Sequence, residues 1–137
     1  MARAGGWEVE FTPEAERWIR SLGPRDANRI AAAIDQLRQV GPTLGREPVD
    51  SIRGSRHHNM KELRSFGGHL RALFAFDRNQ RAVILVGGDK TNDWKGWYKR
   101  NIRVADELYD RHLRSIGKEA PWPAGTRAGE RSAGSSR

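Results

Sequence analysis

The chain has 137 residues, no cysteine and a formal net charge of +8. Its length suits one domain, since single domains most often run to roughly 100–150 residues, and the lack of cysteine excludes disulfides, thiolate metal sites and cysteine nucleophiles. The opening residues hold no apolar leader-like run, and no later stretch approaches the roughly 18 continuous apolar residues of a membrane span. The composition therefore predicts a soluble, cytoplasmic protein with no membrane partner.

The N-terminal third predicts a strand followed by two helices. Residues 7–11 (WEVEF) alternate apolar and acidic side chains, which is the pattern of a strand with one buried face. Thr12 and Pro13 then supply an N-cap oxygen and a proline for the first helical position. A second helix is predicted from Pro24 to Val40, and the two helices form a helical hairpin.

The middle of the chain predicts a loop and then an antiparallel meander. Residues 43–58 show little periodicity and are expected to form a loop. Strands are predicted at 59–64, 70–76 and 82–88. The polar residues 77–81 are short enough to join the last two strands as a hairpin.

The C-terminal part predicts one helix and a tail. Asp93 is expected to cap a third helix with one apolar face, formed by Tyr98, Ile102, Ala105, Tyr109, Leu113 and Ile116. From 117 to 137 the composition shifts to Gly, Pro, Ser, Ala and Arg, which predicts a disordered basic tail. Trp122 is the residue of this tail that could dock on the domain. The element order predicts an α+β fold of two layers, with one domain over 1–116.

Positive charge is concentrated in one segment. Between Arg53 and Arg103 stand twelve Lys or Arg residues against four Asp or Glu residues, so this segment carries all of the net charge of +8. Such a patch attracts polyanions and speeds their capture. Nucleic acid is the first candidate partner, and a solubilising surface or a site for an acidic protein is the alternative.

Few reactions fit the side chains available. GGDKT (87–91) lacks the Gly-Lys-Thr order of a phosphate loop, and no nucleophile-elbow pattern is present. His57 and His58 are adjacent and have no partner at a common ligand spacing, so no metal site is predicted. The remaining Lys, Arg, His and Tyr residues suit RNA cleavage by the strand's own 2′-hydroxyl, which needs a base, cations for the phosphorane and an acid.

The passages NMKELR (59–64), LRALFAFD (70–77) and AVILVGGDKT (82–91), followed by a helix rich in Trp and Tyr, resemble the RelE/ParE superfamily of bacterial toxins, and within it the HigB-type branch. The likeness covers about residues 7–116 and rests on pattern and element order. It implies a RelE-like fold, cofactor-free cleavage of messenger RNA in the A site of the 70S ribosome, and a cognate antitoxin that covers the basic face in a hetero-oligomer.

The resemblance also implies roles for individual residues. Arg71 matches the family's catalytic arginine at the start of a strand, and Lys90 matches the cation that contacts the scissile phosphate just past the last strand. Arg64 and Lys61 would position phosphates, and Tyr98 would orient or stack on a base. Further RNA-binding residues are predicted at His57, Lys95, Trp97, Lys99 and Arg100.

The general base is not fixed by the resemblance. Met60 and Glu62 stand where RelE has a pair of lysines, with Lys61 between them. His57, His58, Lys61 and Asp89 remain as candidate bases, and His58 is included among the predicted catalytic residues.

Several of these residues have a purely structural alternative. Arg64 and Lys61 can be solvated strand charges, and His57 and His58 can be plain loop histidines. Tyr98 can pack in the core. Of Trp94 and Trp97, one is expected in the core and the other on a stacking surface. Arg71 is harder to explain structurally, because a cation inside an apolar strand is costly unless it is paired or lies at the rim.

Two other functions fit the same sequence. A ParE-like inhibitor of DNA gyrase would bind without cutting RNA, and a basic RNA-binding module would bind with a steep salt dependence and leave the RNA whole. An Arg71→Ala/Lys90→Ala variant that stayed toxic would favour the gyrase inhibitor.

Overall fold

The computed structural model describes residues 7–44, 49–89 and 94–119. Its strands are β1 (Glu8–Phe11), β2 (Val49–Ser51), β3 (Lys61–Arg64), β4 (Leu70–Phe76) and β5 (Arg81–Asp89), and its helices are α1 (Pro13–Arg20), α2 (Pro24–Val40) and α3 (Trp94–Glu119). This order confirms the α+β class. Helix α3 continues to Glu119, so residues 117–119 are helical where the sequence predicted a disordered tail over 117–137. The predicted cap Asp93 and the rest of that tail, with Trp122, lie outside the described residues.

The first helix begins as its cap residues predict. The Thr12 hydroxyl accepts a hydrogen bond from the Ala15 N–H at 3.0 Å, and it donates to the Leu85 carbonyl of β5 at 2.6 Å. Pro13 stands at the first helical position, where a missing N–H costs nothing. The cap therefore also fixes α1 to the central part of the sheet.

The five strands form one sheet in the order β1-β5-β4-β3-β2. Strands β2 to β5 pair antiparallel, and β1 pairs parallel with β5, from Glu8 beside Arg81 to Phe11 beside Ile84. The meander therefore has one strand more than predicted, because the short β2 lies within the segment expected to be a loop. Residues 77–81 form the predicted turn, with Asp77 accepting hydrogen bonds from the Asn79 and Arg81 N–H groups.

Helices cover both faces of this sheet. One core joins α1 and α2 to Leu63, Phe74 and Ile84, and the other joins α3 to the alternate residues Leu73 and Leu85. Strand β4 is buried along nearly its whole length, so each of its faces needs a covering layer. The described domain thus has three layers where the sequence predicted two. Within the described ranges, no helix combines the length and apolar character needed to cross a bilayer.

Two adjacent glycines let tryptophans lie directly on β5. A Cβ atom added at Gly87 would come within 2.3 Å of the Trp18 ring on α1, and one added at Gly88 would come within 2.2 Å of the Trp97 indole on α3. These distances are far below van der Waals contact, so only glycine permits both helices to approach the strand this closely.

Gly88→Ala is therefore expected to destabilise the fold by about 1–3 kcal/mol, the usual cost of overpacking a core. Gly23→Ala is the matched control, because its added methyl group would meet no atom within 4 Å. Urea denaturation followed by circular dichroism measures both. A Gly88→Ala variant as stable as the Gly23→Ala variant would contradict the close packing of Trp97 on β5.

Candidate active site

Two arginines lie side by side next to the turn that joins the end of β3 to the start of β4. The register pairs Arg64 directly with Arg71 and places Gly88 of β5 on the other side of Arg71. Strand alternation directs Glu62, Arg64 and Arg71 to the face that α3 covers. The Arg71 residue is only 9% exposed, and its Nη1 donates to the Leu70 carbonyl at 2.9 Å.

The carboxylate of Glu62 lies close to both arginines and offsets the repulsion between their positive charges. Its residue is 2% exposed, and its Oε2 lies 2.9 Å from Arg64 Nε and 3.8 Å from Arg71 Nε. Arg64 also donates to Asp50 of β2 at 3.1 Å. A buried carboxylate requires such partners, because an unpaired charge in the interior is strongly unfavourable. Glu62 is thus the centre of the charge network.

Tyr98 joins this network from α3. Its hydroxyl donates a hydrogen bond to Glu62 Oε1, and its ring meets that of Trp97 edge-on. Burial, together with the hydrogen bond and the negative charge of Glu62, raises the pKa of Tyr98 to about 12. The phenol therefore keeps its proton at neutral pH, in the hydrogen bond to Glu62 beside the two arginines.

A cleft opens beside the paired arginines. It has a volume of about 370 Å³ and is lined by Gln36, Arg64, Ser65, Phe66, Gly67, Gly68 and Arg71. This size is typical of sites for small ligands. The lining combines two guanidinium groups with a glycine-rich turn, so the cleft suits an anionic ligand.

A histidine that the sequence analysis did not consider lies at the same end of the sheet. His69 Nε2 is 2.9 Å from Asp89 Oδ2, and both side chains are about half exposed. Leu70 and Asp89 are register partners, and Arg71 pairs with the preceding Gly88. A single residue separates His69 from Arg71, so their Cα atoms lie about 7 Å apart. Asp89, one of the predicted bases, is therefore part of a His–Asp pair.

The other predicted bases lie elsewhere. His57 Nε2 contacts Asp110 at 2.8 Å and its ring packs edge-on against Tyr109, so it docks on the C-terminal half of α3. Asp110 lies twelve residues beyond Tyr98, about 18 Å along the helix. His58 is exposed beside it. Arg71 and these two histidines are thus not brought together.

Lys61 and Trp97 also differ from their predicted settings. Lys61 pairs in register with Phe74, a residue of the α1/α2 core, so alternation directs it to the sheet face opposite Arg64 and Arg71. Trp97 is 7% exposed and packs on Gly88. A ring buried to this extent has no free face for a base, so Trp97 is a core residue and the prediction that it contacts RNA does not fit its position.

The predicted cations of α3 lie on its exposed surface. Lys95, Lys99 and Arg100 are exposed, and Lys99 lines an open groove of about 470 Å³. The groove is bordered by Arg53, Gly54, Arg56, Lys99, Ile102, Arg103 and Asp106. Its four cations against one carboxylate give it a positive potential. Lys90 lies outside the described residues.

One cluster offers atoms of the types that bind metals. Oxygen or nitrogen atoms of Glu10, Asp77 and His112 lie within 4.8 Å of one another. The Arg81 guanidinium lies among them, 3.2 Å from Glu10 and 3.3 Å from Asp77, and His112 contacts Asp77 at 2.7 Å. These contacts already give both carboxylates protein partners, and they tie β1 and α3 to the β4–β5 turn.

Comparisons with known proteins identify the family of the chain. Residues 17–110 match the family described as "Phage derived protein Gp49-like (DUF891)". A Mycobacterium tuberculosis protein named as a candidate toxin, HigB3, is 47% identical over 107 residues, which cover 78% of this chain and 94% of HigB3. HigB2 of the same organism, also named as a candidate toxin, is 41% identical over 119 residues and 82% of this chain, but the match spans only 59% of HigB2.

A solved structure supports the fold. The isolated RelE toxin of E. coli superposes with a TM-score of 0.52 at 12% identity, covering 69% of this chain and 98% of RelE. A likeness at this low identity supports the fold and carries no information about activity. Together with the family match and the HigB relatives, it leads to one conclusion: the chain belongs to the Gp49-like family and is a toxin of the RelE/HigB type.

Proposed function

We propose that the chain is an endoribonuclease that cuts messenger RNA on the ribosome and is neutralised by a cognate antitoxin. The observation that carries this proposal is the pairing of Arg64 with Arg71 at the edge of an open cleft, with the Tyr98 phenol on the same buried carboxylate. Two guanidinium groups can stabilise the negative charge of a phosphorane transition state, and a proton donor can protonate its leaving oxygen.

In the proposed reaction a base takes the proton of the RNA 2′-hydroxyl. The 2′-oxygen then attacks the adjacent phosphorus, and the resulting phosphorane holds extra negative charge that Arg71 and Arg64 stabilise. The bond to the 5′-oxygen breaks as that oxygen gains a proton from Tyr98, whose hydroxyl exchanges its hydrogen bond to Glu62 for one to the leaving oxygen. The products are a 2′,3′-cyclic phosphate and a 5′-hydroxyl, so no water enters the cleavage step.

We assign the base to His69, with Asp89 orienting its ring. Asp89 Oδ2 lies 2.9 Å from His69 Nε2 and so orients the ring, and Nδ1 is then the nitrogen that would accept the 2′-hydroxyl proton. The groove between the β2–β3 loop and α3 supports a second element of the proposal, because its exposed cations suit the phosphate backbone of messenger or ribosomal RNA. The antitoxin would cover the cleft and this basic surface.

Primer extension on one messenger RNA in a cell-free translation reaction tests the function. We expect new 5′ ends that require translating ribosomes, and upstream fragments that end in a 2′,3′-cyclic phosphate. Intact RNA together with inhibited DNA supercoiling would instead establish a gyrase inhibitor. Intact RNA that is bound with a steep salt dependence would establish an RNA-binding module without chemistry.

The assignment of the base gives a separate prediction. His69→Ala is expected to lower the cleavage rate by about 10²- to 10⁴-fold, the usual contribution of a positioned acid or base, and added imidazole should restore part of it. His58→Ala should cleave at the wild-type rate, because His58 lies at the other end of β3. The reverse pattern, with His58 essential and His69 dispensable, would return the base to the β2–β3 loop.

A further inference from the structure

The turn between β3 and β4 places an exposed aromatic ring beside the cleft. The Ser65 N–H donates to the Leu70 carbonyl at 3.3 Å and closes the hairpin, and Gly67 adopts a positive φ of 65° that favours glycine. Phe66 stands 43% exposed at the tip, beside the cleft. An exposed large aromatic side chain next to a cationic cleft is unusual for a turn that only joins two strands.

Two buried polar groups at this cleft have no hydrogen-bond partner among the residues that the structure describes. They are the Ser65 hydroxyl oxygen, on a residue 6% exposed, and Arg71 Nε, on a residue 9% exposed. Buried polar groups nearly always have partners, and both residues line the cleft. Both groups can donate a hydrogen bond to an acceptor in the cleft. Arg71 Nε lies 3.8 Å from Glu62 Oε2, an ion-pair distance at which its hydrogen bond is not made, and the adjacent Arg64 favours an anionic acceptor.

Gly68 packs closely against the serine. A Cβ atom added at Gly68 would come within 2.7 Å of the Ser65 oxygen. A side chain at position 68 would therefore press on the hydroxyl group or displace it. The glycine thus preserves the position of the Ser65 hydroxyl in the lining of the cleft.

We propose that this turn, Ser65 to Gly68, forms with Arg71 a subsite for one unpaired nucleotide of RNA. Ser65 and Arg71 donate to the non-bridging oxygens of a phosphate, and the Phe66 ring stacks on the base next to it. A base can stack on an isolated ring only when it is unstacked from its neighbours, so the ligand is single-stranded. The cleft volume of about 370 Å³ fits one nucleotide and excludes a duplex.

The subsite deepens the proposed nuclease function and rests on it for the identity of the RNA. It assigns Ser65 as an additional donor to the phosphate at which cleavage occurs, and Phe66 as a positioning residue that fixes the neighbouring base. The stacking contact is neutral, so its contribution to affinity does not depend on salt. The contribution of the cationic groove does depend on salt.

Binding of a single-stranded RNA oligonucleotide with 2′-O-methyl groups, which cannot be cleaved by this chemistry, tests the stacking contact. Fluorescence anisotropy should show Phe66→Ala raising the Kd by about tenfold, by the same factor at low and high salt. Phe66→Trp should restore the wild-type Kd. Val40→Ala is the matched control, because Val40 is 41% exposed on α2 and does not line the cleft.

Cleavage and stability together test Ser65. Ser65→Ala removes a buried hydroxyl without a partner, so the variant should unfold at an equal or higher temperature than the wild type. Its cleavage rate should nevertheless fall by at least about tenfold, because a donor to the phosphorane is lost. A purely structural serine would not lower activity while leaving stability intact.

The outcomes separate the subsite from the nuclease. Wild-type protein that cleaves no RNA, yet binds the oligonucleotide through Phe66, would overturn the nuclease function and keep the subsite. Phe66→Ala and Ser65→Ala variants that bind and cleave like the wild type would overturn the subsite alone. Phe66→Ala that weakens antitoxin binding but not RNA binding would also overturn it and make the turn a protein-docking surface.

Discussion

Replacing Arg71 with alanine is expected to lower the rate of messenger RNA cleavage by about a hundredfold or more. This is the usual effect of removing one preorganised donor to an anionic transition state. Arg71 lies beside Arg64 in the register, is 9% exposed, and lines the cleft. Its buried guanidinium therefore acts where water cannot screen it, unlike the exposed cations of α3. Quantitative primer extension with translating ribosomes gives the rate.

Two further variants separate charge from geometry. Arg71→Lys keeps the positive charge but loses the planar fork of donors, so cleavage should remain well below the wild-type rate. Arg20→Ala removes one exposed cation at the end of α1 and should cleave normally. Circular dichroism at the assay temperature confirms that each variant is folded. If Arg71→Ala cleaved at the wild-type rate, the paired arginines would have no role in the mechanism. If the protein were toxic without cleaving RNA, a gyrase inhibitor would be favoured.

Much of the fold follows from local sequence. Helix α2 spans the predicted Pro24–Val40, and β4 spans the predicted residues 70–76, because periodicity and Gly-Pro boundaries act over short distances. Strand β2 was not predicted, because three residues at a sheet edge carry no detectable alternation. The parallel pairing of β1 with β5 joins residues more than 70 positions apart, and no local pattern encodes it.

The candidate site was predictable only in part. Arg64, Arg71 and Tyr98 were identified by resemblance, and the structure brings them together on Glu62. Glu62 itself appeared only as a departure from the family's lysine pair, although strand alternation already placed it on the same face as Arg64. The same alternation directs Lys61 to the opposite face. His69 had no signal in one sequence, since its pairing with Asp89 depends on the register of β4 with β5.

The contacts of Glu62 with both arginines and Tyr98 predict that this carboxylate stabilises the fold. Glu62→Gln keeps the shape of the side chain but leaves Arg71 buried without a carboxylate partner, and removing one member of a buried ion pair typically costs about 3–5 kcal/mol. We expect a loss of about 3 kcal/mol in the free energy of unfolding, measured by urea denaturation. Asp35→Asn breaks an exposed pair with Arg38 on α2 and should cost less than about 1 kcal/mol.

A double substitution distinguishes the pair from simple packing. Glu62→Leu with Arg71→Met replaces the buried ions by apolar side chains of similar size, so it should recover most of the stability lost in Glu62→Gln, while cleavage stays abolished. The pKa of Tyr98 should fall in Glu62→Gln, because a neutral amide no longer opposes the tyrosinate, although burial keeps that pKa above its ordinary value. Ultraviolet titration detects this change. A Glu62→Gln variant with wild-type stability and an unchanged Tyr98 pKa would contradict this prediction. It would show that the carboxylate does not hold the two arginines and the phenol together.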